Sequence, residues 1–180
     1  MIADEIKKFL RGDVSSDEET LTDYSRDYSI FRVKPEVVVF PKDVNDLKRL
    51  VSFVAKKATN GEKVSLTGRS AGTDMTGGPL TESIVVVFTK YFNRIKSIAK
   101  DYAVVEPGVY FRDFERELSK KGLLYPPYPA SKDICAIGGM ISNNSGGEKT
   151  LAYGKTEDYV EEVKIVLSDG EEHTLRPMPK

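Results

Sequence analysis

The chain has 180 residues, with 27 Lys and Arg against 28 Asp and Glu and a formal net charge of -1. That length allows one domain or two small lobes around a real core, and the balanced charge lacks the basic excess that general nucleic-acid binding requires. A single cysteine, Cys135, excludes an internal disulfide or a cysteine-rich metal site, and a single histidine, His173, weakens any mechanism built on a His pair.

Taken in chain order, Ile2, Ile6, Phe9 and Leu10 fall at helical spacing and predict an amphipathic helix ending at Gly12. Its sequence has no signal-peptide centre, and no apolar run approaches the roughly 20 residues of a membrane span, so a soluble, cytoplasmic protein is expected. The polar, Tyr-bearing stretch from Ser15 to Pro35 is expected to hold one short helix. Glu36–Phe40 (EVVVF) reads as a strand closed by Pro41, and Asp43 can cap the helix that follows. Val44, Leu47, Leu50, Val51, Val54, Ala55 and Ala58 mark one face of that helix. Lys63–Gly68 and Ser83–Phe88 predict two more strands, giving a βαβ pattern with parallel pairing. The next segment, from Ile95, reads as two strands joined at Lys100-Asp101. Tyr110, Phe111, Phe114 and Leu118 then line a helix stopping at Gly122. Beyond a Pro-rich turn and a glycine stretch, Val163, Ile165 and Leu167 alternate with polar residues, and Asp169-Gly170 predicts a two-residue hairpin turn. The expected fold class is α+β: a small parallel βαβ lobe over about residues 1–92 and a mixed, largely antiparallel lobe over about 93–180.

Two segments rich in small residues interrupt this pattern. The first, Thr67–Pro79 (TGRSAGTDMTGGP), directly follows a strand. Without Cβ obstruction, backbone N–H groups can converge on an anion, Thr and Ser hydroxyls add donors, and Arg69 can supply a planar charge-assisted contact. This chemistry suits a pyrophosphate. The segment lacks the Gly-Lys-Ser/Thr of a P-loop, and it runs on through Gly77-Gly78-Pro79 rather than opening a helix as a G-x-G-x-x-G fingerprint must. The second, Ile137–Gly147 (IGGMISNNSGG), repeats the same small, polar chemistry about seventy residues later and reads as a second loop. Either could be an ordinary surface loop with turn glycines; two of them favour one extended polar ligand.

With these motifs in place, the sequence resembles the FAD-binding domain of the vanillyl-alcohol oxidase/PCMH-type flavoproteins, especially the branch with glycolate oxidase flavin subunits and D-lactate dehydrogenases. The resemblance rests on YSRDYSIFRVKPEVVVFPKDVNDLKRLV, GRSAGTDMTGG, YPPYPASKDICAIGGMISNNSGG and YGKTEDYVEEVKIVLSDGE, in the family's order from about residue 20 to 175. It implies that the whole chain, 1–180, is one FAD-binding domain with the dinucleotide extended between two lobes. Carried over by position, Arg69, Ser70, Ala71, Gly72, Thr73 and Asp74 would wrap the pyrophosphate, with Pro79 and Leu80 toward the flavin. Gly138, Gly139, Ser142, Asn143 and Ser145 would line a second wall preceded by Pro129 and Ser131, and Gly154, Val163 and Ile165 would complete the pocket. Asp74 departs from the small neutral residue of many relatives; its carboxylate either bonds N–H groups of its own turn or weakens the pyrophosphate assignment. Thr73 stands where covalent members carry a flavin-linking histidine, which implies non-covalent FAD. The substrate or cap domain of catalytic relatives is expected to be absent.

The implied activity is oxidation of a small 2-hydroxy acid by hydride transfer to FAD, with an electron acceptor the sequence does not identify and no assignable catalytic base. Two rival readings stay open: a FAD-binding module that gains its substrate site from a partner subunit or a further C-terminal region, and a non-flavin fold. Cys135, between Ile134 and Ala136, reads as a buried small residue, and His173 as an exposed strand residue. Tyr24, Tyr28 and Tyr153 are candidates to approach a flavin. Arg112, Asp113, Glu115, Arg116 and Lys120 read as a solvated helix face.

Overall fold

The computed structural model describes residues 1–178. Its elements group into two compact units: Met1–Arg69 with Asp74–Val87 and the chain from Glu161, and Ser70–Thr73 with Phe88–Val160. The boundary expected near residue 92 falls at 87/88, and the terminal hairpin groups with the first unit.

The first unit is built on a four-stranded sheet. Its strands are β1 (Asp13–Ser15), β2 (Val37–Phe40), β3 (Leu66–Arg69) and β4 (Ile84–Val87), in the order β1-β2-β4-β3. β4 runs parallel to both β2 and β3, as the βαβ pattern requires, and β1 is antiparallel to β2. Val37–Val39 and Ile84–Val87 are all buried, the apolar run expected of central parallel strands covered on both faces. Leu21 from helix α2 (Glu18–Asp23) packs on Val38, Val85 and Val87; by strand alternation Val37, Val39, Ile84 and Val86 point the other way. Helix α3 (Val44–Thr59) buries Leu50 completely, and Asp43 caps it by accepting from the Asn45 and Asp46 amides.

The opening helix α1 spans only Ile2–Lys7, and Gly12 is no helix stop. Instead the Gly12 amide donates to Asp46 Oδ2 at 2.9 Å, and a side chain at this position would run into the Phe40 carbonyl as β1 joins β2. The final pair, β7 (Val163–Val166) and β8 (Glu172–Leu175), is the antiparallel hairpin expected, with a different turn. Leu167 N–H bonds Glu171 O, leaving Ser168-Asp169-Gly170 as a three-residue loop whose last member takes φ 79°. Three-residue hairpins place glycine at this left-handed position. Gly170 also lies against Ser52 of α3, and Lys48 pairs with Glu171 at 2.6 Å.

The second unit contains the antiparallel pair β5 (Ile95–Ile98) and β6 (Ala103–Val105), helix α4 (Phe111–Ser119), helix α5 (Ile137–Ser142), the short helix α6 (Thr150–Tyr153) and a 3-10 turn over Thr156–Tyr159. Its core joins Val109, Phe111, Phe114, Leu118, Tyr128, Cys135, Ile137 and Met140. The second glycine segment is therefore not all loop. Ile137 and Met140, three apart, bury one face of α5 and offset the roughly 1 kcal/mol that each helical glycine costs relative to alanine.

Candidate functional site

β3 ends at Arg69, where the first small-residue segment begins. The Arg69 side chain turns onto the segment preceding β2: Nη2 donates to the Arg26 carbonyl at 2.7 Å, and the guanidinium carbon lies 5.3 Å from the centre of the Tyr24 ring. Nη1 is buried without a hydrogen-bond partner, as is Asp27 Oδ2. Burial lowers the guanidinium pKa, opposed by Tyr24 and Asp27. Arg69 thus holds one orphaned donor beside a half-built polar cluster.

The next residues, Ser70, Ala71, Gly72 and Thr73, group with the second unit, and Gly72 has φ 71°, a conformation that favours glycine. Ser70 Oγ donates to the Pro107 carbonyl at 3.1 Å. Asp74 resolves its own ambiguity: its Oδ2 accepts from Thr76 N–H at 3.1 Å, Thr76 Oγ1 at 2.6 Å and Gly78 N–H at 2.8 Å. The carboxylate organises the distal half of the segment and uses the amides there. Pro79 is buried, and Leu80 N–H closes a turn onto Gly77 O. Tyr28 N–H donates to Asp74 O at 3.0 Å, which aligns the segment preceding β2 with this half.

The second segment meets the first inside the same unit. Gly138 N–H donates to Pro107 O at 2.8 Å, the carbonyl that Ser70 also uses. A Cβ at 138 would come within 2.6 Å of Ser70 Oγ and 2.7 Å of Pro107 Cβ, whereas one at 139 would meet nothing within 4 Å. Gly138 is a packing glycine; Gly139 faces open space. Beyond α5, Ser142 and Asn143 are exposed, and Ser145 O accepts both the N–H and the hydroxyl of Thr156, a residue 1% exposed. Asn144, at φ 46°, accepts from Glu157 N–H. Pro129 O and Ser131 O accept turn amides before α5, and Gly147 packs on the Tyr128–Pro129 backbone. Gly154, at φ 82°, abuts Asp158, whose carboxylate accepts from Lys155 N–H. Val163 and Ile165 are half-buried in β7 and belong to the first unit.

Ser70 and Gly138, one from each small-residue segment, are thus brought together at Pro107, while Arg69 points its charge elsewhere. Pro107 and Thr156 are the supporting residues that sequence reasoning missed. Pro107-Gly108 announces only a turn, and nothing in the sequence marks Thr156 as buried.

Cys135 is buried, and burial pushes its thiol up to about 11. His173 lies on β8 with Nε2 2.7 Å from Asp169 Oδ2. Tyr24 packs edge-on to Phe40, while Tyr28 and Tyr153 are exposed. On α4, Arg116 pairs with Asp113 and Lys120 with Glu117 at exposed positions, and Arg112 stacks 4.4 Å from the Tyr110 ring centre. Among the described residues no three His, Cys, Asp or Glu side chains gather as a metal site, and no helix is long and apolar enough to cross a membrane.

Comparison with known proteins identifies the family and the fold. The family described as FAD binding domain matches residues 35–176. The chain is 35% identical over 144 residues to glycolate oxidase subunit GlcD of Bacillus subtilis, covering 78% of this chain and 30% of that protein. It is 33% identical over 168 residues to a D-2-hydroxyglutarate dehydrogenase of Pseudomonas putida, covering 92% and 16%. A D-lactate dehydrogenase of Anaerostipes hadrus is 33% identical over 144 residues, covering 78% and 29%. The chain therefore spans less than a third of these relatives' length. Solved structures share the fold: alkyldihydroxyacetonephosphate synthase has a TM-score of 0.79 at 20% identity, over 97% of this chain and 37% of that one. 6-Hydroxy-D-nicotine oxidase from Arthrobacter nicotinovorans has 0.77 at 20% identity, over 93% and 36%. Motif order, fold and family match agree: this chain belongs to the FAD binding domain family, and its cofactor is FAD.

Proposed function

We propose that this chain is the FAD-holding part of an oxidoreductase acting on a small 2-hydroxy acid, and that it binds FAD without a covalent bond. The observation that carries the reading is the meeting of the Ser70–Thr73 and Gly138-Gly139 segments at Pro107, in a chain whose relatives are named as glycolate, D-lactate and D-2-hydroxyglutarate enzymes. The residues present fit such a ligand. Gly139 leaves space for close approach, and Gly72 holds a left-handed turn. Ala71, Gly72 and Thr73 would present backbone amides to the pyrophosphate. Gly139, Ser142, Asn143 and Ser145 would line one wall, with Pro129 and Ser131 before it, and Pro79, Leu80, Gly154, Val163 and Ile165 are the further residues proposed to contact FAD. Asp74 would shape the turn without touching phosphate. Thr73 offers a hydroxyl, a weaker nucleophile than the imidazole that stands at this position in covalent members. When bound, FAD supplies the hydride acceptor, while the protein supplies position and electrostatics.

A second reading, a FAD-holding module whose substrate site comes from a partner subunit or a further region, is favoured by the side chains themselves. Arg69 is engaged with Arg26 and Tyr24, and His173 with Asp169 in the hairpin. We place the protein in the cytoplasm, a location that cell fractionation checks. The test of the cofactor assignment is the absorbance spectrum of the purified chain followed by acid precipitation. All flavin is expected in the supernatant as FAD. Flavin retained in the pellet would refute the non-covalent mode, and a colourless protein that binds no added FAD would refute the reading.

A further inference from the structure

Ser70 lies in a segment whose hydroxyls suit phosphate, yet its hydroxyl is already committed. A serine hydroxyl has one hydrogen to donate, and phosphate oxygens only accept from it. That hydrogen is directed at Pro107 O, 3.1 Å away. The same carbonyl accepts from Gly138 N–H at 2.8 Å, so one acceptor with two lone pairs joins two segments 68 positions apart in sequence (70 to 138).

The acceptor is itself held in place. The Glu106 side chain, 5% exposed, accepts from Arg94 N–H at 3.0 Å and from Arg94 Nη2 at 2.9 Å, with Lys96 Nζ at 3.4 Å. Gly108 N–H donates to Phe92 O at 2.7 Å, and a Cβ at 108 would strike the Phe88 carbonyl. The turn Glu106–Gly108 is therefore pinned on both sides of Pro107. Ser70 and Gly138 approach it so closely that no side chain fits at 138.

We propose that Ser70 is a positioning residue: its bond to Pro107 sets the spacing between the two segments that hold FAD, and it makes no hydrogen-bond donation to phosphate. This rests on the FAD reading above. Losing the hydroxyl loosens the Pro107 junction and lets the segments drift apart before any ligand arrives. A serine that served only the phosphate would leave the FAD-free junction unchanged.

The experiment compares the full chain with its Ser70→Ala and Ser70→Thr variants. Hydrogen exchange at the Gly138 amide is measured without FAD, and FAD affinity is measured by quenching of flavin fluorescence. In Ser70→Ala, Gly138 exchange is expected to rise, and the FAD Kd to rise about tenfold, the scale of one hydrogen bond. Ser70→Thr, which keeps the hydroxyl, is expected to return both readouts toward the original values. A raised Kd with unchanged Gly138 exchange would overturn the proposal and assign the hydroxyl to the ligand. Unchanged values of both would overturn it outright. If the unaltered chain binds no FAD, the functional reading itself falls and takes the flavin role of Ser70 with it, an outcome distinct from FAD bound with unchanged exchange.

Discussion

Gly138 and Gly139 are adjacent in sequence and opposite in surroundings. At 138 an added methyl meets Ser70 Oγ and the Pro107 backbone; at 139 it meets nothing within 4 Å. Gly138→Ala should therefore destabilise the chain by about 1–3 kcal/mol through overpacking, readable as a lower melting temperature. Gly139→Ala should do the reverse. It replaces a helical glycine in α5 with the best helix former, a gain of about 0.5–1 kcal/mol, or roughly 1–4 °C in melting temperature. The same methyl would obstruct FAD, so affinity should fall while stability rises. Parallel thermal melts and flavin titrations check the pair, and a Gly139→Ala protein that binds FAD normally would remove this glycine from the site. Cys135 yields a second residue-scale expectation. Buried, with its thiol raised to about 11, it should resist a thiol reagent in native protein at pH 8 and react fully in denaturant.

At the scale of elements, the strands and the long helix were legible because their apolar periods are unambiguous. Val37–Val39, Ile84–Val87 and the Asp43-capped α3 follow directly from pattern and cap. Helix α5 was not legible: Gly138, Gly139 and Ser142 suggest a loop, and tertiary burial of Ile137 and Met140 overrides that propensity. Gly12 is not the helix stop its position suggests but a close backbone approach, and Gly170 ends a three-residue rather than a two-residue turn. In the site, the small residues were visible in sequence, whereas Pro107, which joins them, was not, because a shared carbonyl leaves no compositional trace. Asp46 shows the same blindness. Fully buried, its carboxylate accepts from the amides of Arg11, Gly12 and Lys42, tying the start of β1 and the end of β2 to α3. Asp46→Ala should cost about 2–3 kcal/mol, since it removes the shared acceptor of three part-buried amides; urea denaturation measures it. Glu106 adds a pH term. Burial pushes its pKa up, but the Arg94 side chain and amide, with Lys96, outweigh this and hold it below the ordinary 4.5. A depressed carboxyl contributes stability that is present above the ordinary value and lost as pH falls through the folded one. Glu106→Gln should thus flatten the loss of melting temperature on acidification below about pH 4.5.

For the molecule as a whole, the question is whether a FAD-holding chain suffices for turnover. Oxidising a 2-hydroxy acid requires a cationic clamp for the carboxylate, a base for the hydroxyl proton and a wall that fixes the reacting carbon. Several candidate side chains are committed elsewhere. Arg69 bonds Arg26 and faces Tyr24, Arg94 holds Glu106, Arg112 bonds the Asp133 carbonyl, and His173 pairs with Asp169. The chain also spans only 30% of the Bacillus subtilis glycolate oxidase subunit. Loaded with FAD, it is therefore expected to reduce an artificial dye with glycolate, D-lactate or D-2-hydroxyglutarate far more slowly than the roughly 1 s⁻¹ at the low end of ordinary enzymes. Supplying a partner chain or a further C-terminal region that carries an arginine clamp and a base should raise the rate without changing FAD affinity. Rates of about 1 s⁻¹ or more from the 180-residue chain alone would sink this expectation and place a complete substrate site among its own side chains.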